Sequence, residues 1–329
     1  MTQADPALLN AAAPQAQAAW HRFLDVVEPL RPDLYRYCRA LTRDAWDAED
    51  LAQDTLARAM VTLGSLFQDV KNPRAWLFRV ASNLWIDRQR RRREVADTDA
   101  VAAASTPAAA PAMMETREAG ATLIGRLSPQ ERAAVLLKDV FDFTIDETAD
   151  VLGTTPGAIK AALHRGRGKL TEPPAPPAAA VRSPAVDAFC AAFNARDVDA
   201  LVALMLNTTT AEISGIATEY GPAKMRQSDT GSLHHSLYSP ITHAVLPEWR
   251  QGDRGGTPRA EVRDYRGEPI IVMWYDHDAG PVVRDVVRLD VDGGCVARIR
   301  YHFFSPEVIS EIAAELGCPW RANGHRYWP

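Results

Sequence analysis

The chain has 329 residues, 47% hydrophobic and 24% charged, with a formal net charge of −5, which is too long for one ordinary core and predicts two or three domains. No run of about 18 apolar residues and no basic-then-apolar leader occurs, which excludes an obvious membrane span or secretory signal. Cys38, Cys190, Cys295 and Cys318 are scattered without a CxxC pair, so a disulfide scaffold or zinc site is not expected and a soluble, cytoplasmic protein is.

Charge is sorted into blocks. Residues 183–329 hold 14 Lys or Arg and 19 Asp or Glu, leaving 23 of each for residues 1–182. Local fields, not net charge, then decide what binds.

The first domain, 15–93, reads as helical. Leu34, Tyr37, Cys38 and Leu41 share one face, and Leu51, Leu56, Met60 and Leu63 continue the period. Between Asp44 and Asp54 stand five acids and no base, whereas Lys71 to Arg93 holds eight Lys or Arg against Asp87 alone. Asn72 followed by Pro73 predicts an N-cap and a helix reaching about Arg92. On that helix Trp76, Leu77, Val80 and Leu84 form the expected core stripe, with Asp87 on the same side. Phe78, Ser82, Trp85 and Gln89 lie opposite. Aromatics beside Arg79, Arg88 and Arg90 suit base stacking and phosphate contact; packing on another helix is the alternative. Arg90 to Arg93 is a run of four arginines that calls for an anionic partner.

An Ala-rich stretch, 94–122, predicts a loose linker before the second domain, 123–170. There Ser128, Pro129 and Glu131 form a capping box. A short helix ends at Gly153, Thr154 and Thr155 follow, and a second helix runs from Pro156 to about Lys169. Ile159 and Leu163 face inward; Gly157, Lys160, Ala161, His164 and Arg165 face outward. Small residues flanked by cations, with no acid from 156 to 169, predict a helix-turn-helix that enters a major groove. Residues 171–184, with five prolines, predict a stiff spacer.

LYRYCRALTRDAWDAEDLAQDTLARAM, NPRAWLFRVASNLWIDRQRRRR and LSPQERAAVLLKDVFDFTIDETADVLGTTPGAIKAALHRGRGKL together resemble regions 2.1 to 2.2, 2.3 to 2.4 and 4 of the extracytoplasmic-function sigma factors of bacterial RNA polymerase. The resemblance implies that Asp47, Glu49, Asp50, Gln53 and Asp54 dock on the clamp helices of the largest polymerase subunit. It implies minus-10 recognition by Asn83, Asp87 and Arg88, and the stacking face adds Phe78, Trp85, Arg90 and Arg91. Asp87 is better read as a structural acid paired with an Arg. Minus-35 recognition falls to Thr155, Gly157, Lys160, Ala161, His164, Arg165 and Arg167. Core polymerase and promoter DNA are the expected partners, with no membrane and no cofactor.

The third domain, 185–329, opens with a helix pair in SPAVDAFCAAFNARDVDALVALM. PRAEVRDYRGEPIIVMWYD, VVRDVVRLDVDGG and CVARIRYHFF are strand-like, with a hairpin turn at Gly293 and Gly294. Helices followed by long antiparallel strands resemble the SnoaL-like cone-shaped α+β barrel. The whole is then multidomain: two all-α sigma domains and a barrel that regulates them in cis. Trp274, Tyr275, Asp276 and Tyr301 are candidate pocket residues for a small-molecule ligand, with His234 and His235 as further polar groups. Arg298, Arg300 and His302 read as a solvent face. In the tail GCPWRANGHRYWP, Trp320, Tyr327 and Trp328 are candidates either for docking on the sigma domains or for packing on the barrel. The leading reading is a non-enzyme; the alternative is a cyclase or isomerase, or a sensor, fused to a DNA-binding module.

Overall fold

A computed structural model describes residues 6–65, 70–103, 127–167, 183–227, 232–238 and 245–326. The chain divides into two compact units, Met1–Pro176 and Pro177–Pro329, and the boundary lies inside the proline-rich stretch.

The first unit is helical: α1 (Pro6–Val27), α2 (Arg31–Thr42), α3 (Ala45–Ser65) and α4 (Pro73–Ala103), then α5 (Pro129–Val135), a π-turn over Leu136–Val140, α6 (Ile145–Leu152) and α7 (Pro156–Arg167). Local chemistry sets the ends. Arg43 takes a left-handed conformation after α2, and the Asp44 carboxylate caps the amides of Trp46 and Asp47 (2.9 Å each). The Asn72 side chain caps Ala75 (3.0 Å). The Ser128–Glu131 capping box is formed, and a second, Thr144–Glu147, starts α6. Gly153 ends α6 with φ 61°. The α4 helix continues eleven residues past Arg92, into the stretch read as linker, because REVADTDAVAA contains no helix breaker.

Leu34, Tyr37, Cys38, Leu41, Leu51 and Leu56 are buried, whereas Leu63 is exposed. On α4 the buried side is Leu77, Phe78, Ala81, Ser82 and Trp85; Trp76, Val80 and Leu84 are only half-buried. The expected core stripe is therefore corrected by about one residue of rotation.

The second unit begins with α8 (Pro184–Asn194) and α9 (Val198–Ala203), followed by β1 (Met205–Ile213), β2 (Ala217–Tyr220), α10 (Pro222–Met225) and α11 (Ser232–Tyr238). Then come β3 (Arg259–Tyr265), β4 (Glu268–Tyr275), β5 (Val282–Asp292), β6 (Cys295–Tyr301) and α12 (Pro306–Leu316). One six-stranded sheet runs β2-β1-β6-β5-β4-β3. It is mixed rather than wholly antiparallel, because β1 pairs with β6 in parallel. One face packs on α8 and α11 through Phe189, Phe193, Leu233, Leu237, Val287, Ile299 and Tyr301. This helix-and-sheet α+β architecture agrees with the cone-shaped expectation.

Across β5 the other face is covered by α12, whose Val308, Ile309, Ile312 and Ala313 are buried. The remainder of that face is a ladder of ion pairs: Arg298 with Glu212 (3.6 Å) and Asp290, Arg300 with Asp290 (2.7 Å), Arg288 with Glu268. Missing α12 is why His302 was expected in solvent. It is 1% exposed, and burial pushes its imidazole down to about 3.

Candidate nucleic-acid and polymerase interface

The acidic and basic blocks of the first unit lie against each other. Arg88 pairs with the Asp54 carboxylate and donates to the Asp50 carbonyl (3.4 Å), and Arg92 lies 3.6 Å from Asp47. Asp50 and Asp54 are exposed, and Asp47 and Gln53 are half-buried. Glu49 is different. Its side chain is 0% exposed and accepts from Arg31 and from Gln53 (2.6 Å each). The structure corrects its expected docking role: no partner surface reaches it, and it anchors α2 to α3. Desolvating a carboxylate this completely is tolerated only with a paired guanidinium and hydrogen bonds.

Asn83, Arg90 and Arg91 are exposed on α4. Asp87 pairs with Arg90 (3.2 Å), an acid salt-bridged to an Arg, half-buried rather than on the core side. Phe78 and Trp85, expected on an open face, are 1% and 3% exposed. Phe78 stacks on Tyr37 (4.6 Å between centroids), and Phe141 meets both rings edge-on (5.2 and 5.4 Å). The Arg74 guanidinium lies 5.1 Å from the Phe78 centroid and 5.0 Å from that of Phe143. Tyr37 and Ser82 join their hydroxyls beneath this cluster (2.7 Å). Arg132 covers the Trp85 ring at 5.5 Å and donates to the Leu41 carbonyl (2.9 Å). Burial and the nearby Arg43 push its guanidinium down to about 10. Arg79 donates to the Asp150 carbonyl. The stretch from α5 to α6 thus closes over the face of α4 that sequence reasoning left open. The partners Phe141 and Phe143 stand more than sixty residues away, so helical periodicity gave no sign of them.

On the helix-turn-helix, Thr155, Gly157, Lys160, Ala161 and His164 are exposed, and Ile159 and Leu163 are buried. Arg165 is exposed yet pairs with Glu131 (2.6 Å), so it also braces α7 against α5. The Arg167 side chain lies outside the described residues.

In the second unit Tyr275 and Tyr301 pack on the inner core. Trp274 does not: its Nε1 donates to Glu261 (2.7 Å) and Arg259 stacks on its ring, on the opposite face. Asp276 is exposed. Both are corrected as pocket residues: strand alternation turns Trp274 away from its inward neighbours Met273 and Tyr275, and Asp276 lies beyond the end of β4. The buried acid is Asp285, which sequence reasoning missed. It faces inward opposite Met273, accepts from the His302 amide (2.9 Å), and burial holds its carboxyl well above the usual carboxylate range. An Arg–Asp pair set between valines, VVRDVV, was the available signal. The side chains of His234 and His235 lie outside the described residues.

Of the tail, Trp320 forms a bridge with Val283. Arg284, wholly buried, donates to Asn323 Oδ1 (2.8 Å), to the carbonyls of Trp249 (2.7 Å) and Ala322 (3.0 Å), and pairs with Asp253. The tail to Arg326 is therefore part of its own domain, and Tyr327 and Trp328 lie outside the described residues. No group of three or more metal-ligating side chains, and no helix long and apolar enough to cross a membrane, occurs among the described residues.

Two family models match the chain: Sigma-70 region 2 at residues 26–95 and Sigma-70 region 4 at residues 119–170. The chain is 32% identical over 214 residues to the ECF RNA polymerase sigma factor SigG of Mycobacterium tuberculosis, covering 54% of this chain and 57% of SigG, so it spans little more than half of that relative. It is 30% identical over 162 residues to ECF sigma factor SigW of Bacillus subtilis, covering 45% of this chain and 86% of SigW. Among solved structures, that of the extracytoplasmic function sigma factor SigJ of M. tuberculosis is 21% identical, covering 84% of this chain and 95% of SigJ with a TM-score of 0.30. With both sigma regions matched in order and most of SigW covered, the chain belongs to the ECF family of RNA polymerase sigma factors.

Proposed function

We propose that this chain directs core RNA polymerase to promoters, with the exposed acids of α3 docking on polymerase, α4 serving the minus-10 element and α7 the minus-35 element. The observation that carries it is the outward face of α7, where Thr155, Gly157, Lys160, Ala161 and His164 are exposed and no acid interrupts them. A face of small and cationic residues admits close approach of the backbone to a groove floor. The described form is closed, since Trp85 lies under Arg132 of α5 and Phe78 under Phe141 beyond it, and minus-10 engagement requires that region to lift. The domain at 185–329 regulates the sigma part in cis. Its support is the sequence of the connection: a stretch of fourteen residues with five prolines is short enough to keep the domain at high effective concentration. No enzymatic step belongs to this reading.

The test is transcription reconstituted with core polymerase on a mapped promoter. Transcripts should require this chain. Lys160→Ala should weaken promoter binding and lower the salt slope by about one unit, whereas His164→Ala should relax sequence preference. Transcription independent of the chain, or footprints unchanged in both variants, would refute the reading.

A further inference from the structure

The Glu131 carboxylate serves two helices at once. Its Oε2 accepts from the Ser128 amide (3.0 Å) and the Ser128 hydroxyl accepts from the Glu131 amide (3.2 Å), so the capping box of α5 fixes the side chain. Its Oε1 accepts from Nε of Arg165 in α7 (2.6 Å). The Glu131 side chain is 9% exposed and that of Arg165 56%. The carboxylate end of the pair is therefore fixed and shielded, while the guanidinium reaches solvent. Among the described residues Arg165 hydrogen-bonds through Nε alone, which leaves Nη1 and Nη2 as an outward fork.

The place of this fork on α7 is informative. Gly157, Ala161 and His164 form the centre of the exposed face, and Ile159, Ala162, Leu163 and Gly166 are buried opposite. At about 100° per residue, Arg165 stands about 80° round from Gly157 and Lys160 about 60° round the other way. Cations on both flanks of a small-residue centre suit the phosphates that wall a groove rather than the bases on its floor. A guanidinium held at Nε presents the edge that matches a phosphate with two parallel N–H groups. The same carboxylate weakens the attraction of Arg165 for any phosphate at a distance. Glu131 thus gives up strength for placement.

We propose that Glu131 is a positioning residue for promoter binding: it aims Nη1 and Nη2 of Arg165 at one backbone phosphate on the α5 side of the groove, a contact made only when α7 is seated on its own element. The inference rests on the reading of α7 as the minus-35 helix.

The experiment measures the holoenzyme reconstituted with the full chain, by fluorescence anisotropy over a range of salt, on the mapped promoter and on the same duplex with its minus-35 element scrambled. Glu131→Gln retains a residue able to complete the capping box but removes the charge that holds Arg165. It should bind the scrambled duplex about threefold tighter, with a salt slope steeper by up to about one unit, while preference for the promoter falls about tenfold. Arg165→Lys keeps the charge without Nε and should lose the same preference, and adding Glu131→Gln to it should lower the preference no further. A merely structural Glu131 would weaken both duplexes alike as the melting temperature drops. That result, an unchanged preference in a folded Glu131→Gln protein, or additive effects of the two substitutions would overturn the proposal. If Glu131→Gln does not fold, Arg165→Lys decides alone, and a preference equal to wild type overturns it. A wild-type holoenzyme with no preference between the duplexes would instead refute the minus-35 reading, and this inference with it.

Discussion

Arg284 and Asn323 hold each other from both sides: Nε of Arg284 donates to Asn323 Oδ1 (2.8 Å), and Nδ2 of Asn323 donates back to the Arg284 carbonyl (2.7 Å). The second Nδ2 hydrogen goes to the Phe303 carbonyl (2.6 Å). One amide thus fastens the tail to β5 and to the end of β6. Asn323→Ala should cost about 2–3 kcal/mol, since it removes a bond to a buried charge and strands two carbonyls. Chemical denaturation of the full chain would show it. Removing residues 317–329 should cost more, which makes that truncation a stability variant and not a clean probe of regulation.

The acids of α3 divide into two classes that mutagenesis will separate. Glu49→Gln should destabilise the first unit by about 3–5 kcal/mol, because it leaves the buried Arg31 charge uncompensated. Reversal of Asp50 and Asp54 to Lys should leave the melting temperature nearly unchanged, apart from the exposed pair with Arg88, while abolishing capture of core polymerase. Melting curves beside pull-downs check both halves.

Phe141→Ala should open the closed form. The ring packs on Phe78 and Tyr37, and its loss leaves a cavity between them. Hydrogen exchange should rise along Leu77–Trp85. If closure competes with polymerase binding, each ~1.4 kcal/mol removed from it raises apparent affinity by up to tenfold, as far as the closed form dominates. Unchanged exchange in a folded variant would show that Phe141 does not hold the two segments together.

His302 and Asp285 give the third domain opposing pH responses. The imidazole is held down to about 3 when folded against about 6.5 unfolded, so the unfolded state binds more protons between these values. Its stability contribution is present above about 6.5 and falls as pH drops toward 3, by up to ~1.4 kcal/mol per unit. Burial raises the Asp285 carboxyl, so its contribution is present at low pH and lost as pH rises past the unfolded value. Asp285→Asn should therefore flatten the loss on the alkaline side, measured by thermal melts from pH 4 to 8.

The helix-turn-helix was legible in the sequence because its signals are local: Ser128 with Glu131, Gly153, and Pro156 lie within a few residues of the ends they set. What escaped was decided by distant partners. Glu49 cannot be told from Asp50 without knowing that Arg31 sits beside it, and Phe78 looks like a stacking residue until Phe141 and Phe143 arrive. Asp276 and Asp285 both stand in or beside strands, but Asp285 alternates inward with Val287 and Leu289 while Asp276 lies past the end of β4, and neither boundary nor face is marked locally in the sequence. The polar run LNTTTAEI hid β1, and with it the parallel pairing to β6.

Gly166, late in α7, lies where any Cβ would stand 2.7 Å from Cγ2 of Val135 and 3.4 Å from Leu127. Backbone there rests directly on a β-branched side chain with little freedom to move aside. The helix proposed to read the minus-35 element is consequently aimed by main chain contact rather than by a pliable layer of side chains. On that proposal its outward residues can be exchanged, and with them the bases preferred, while the angle at which the helix is presented stays where Gly166 and Val135 have set it.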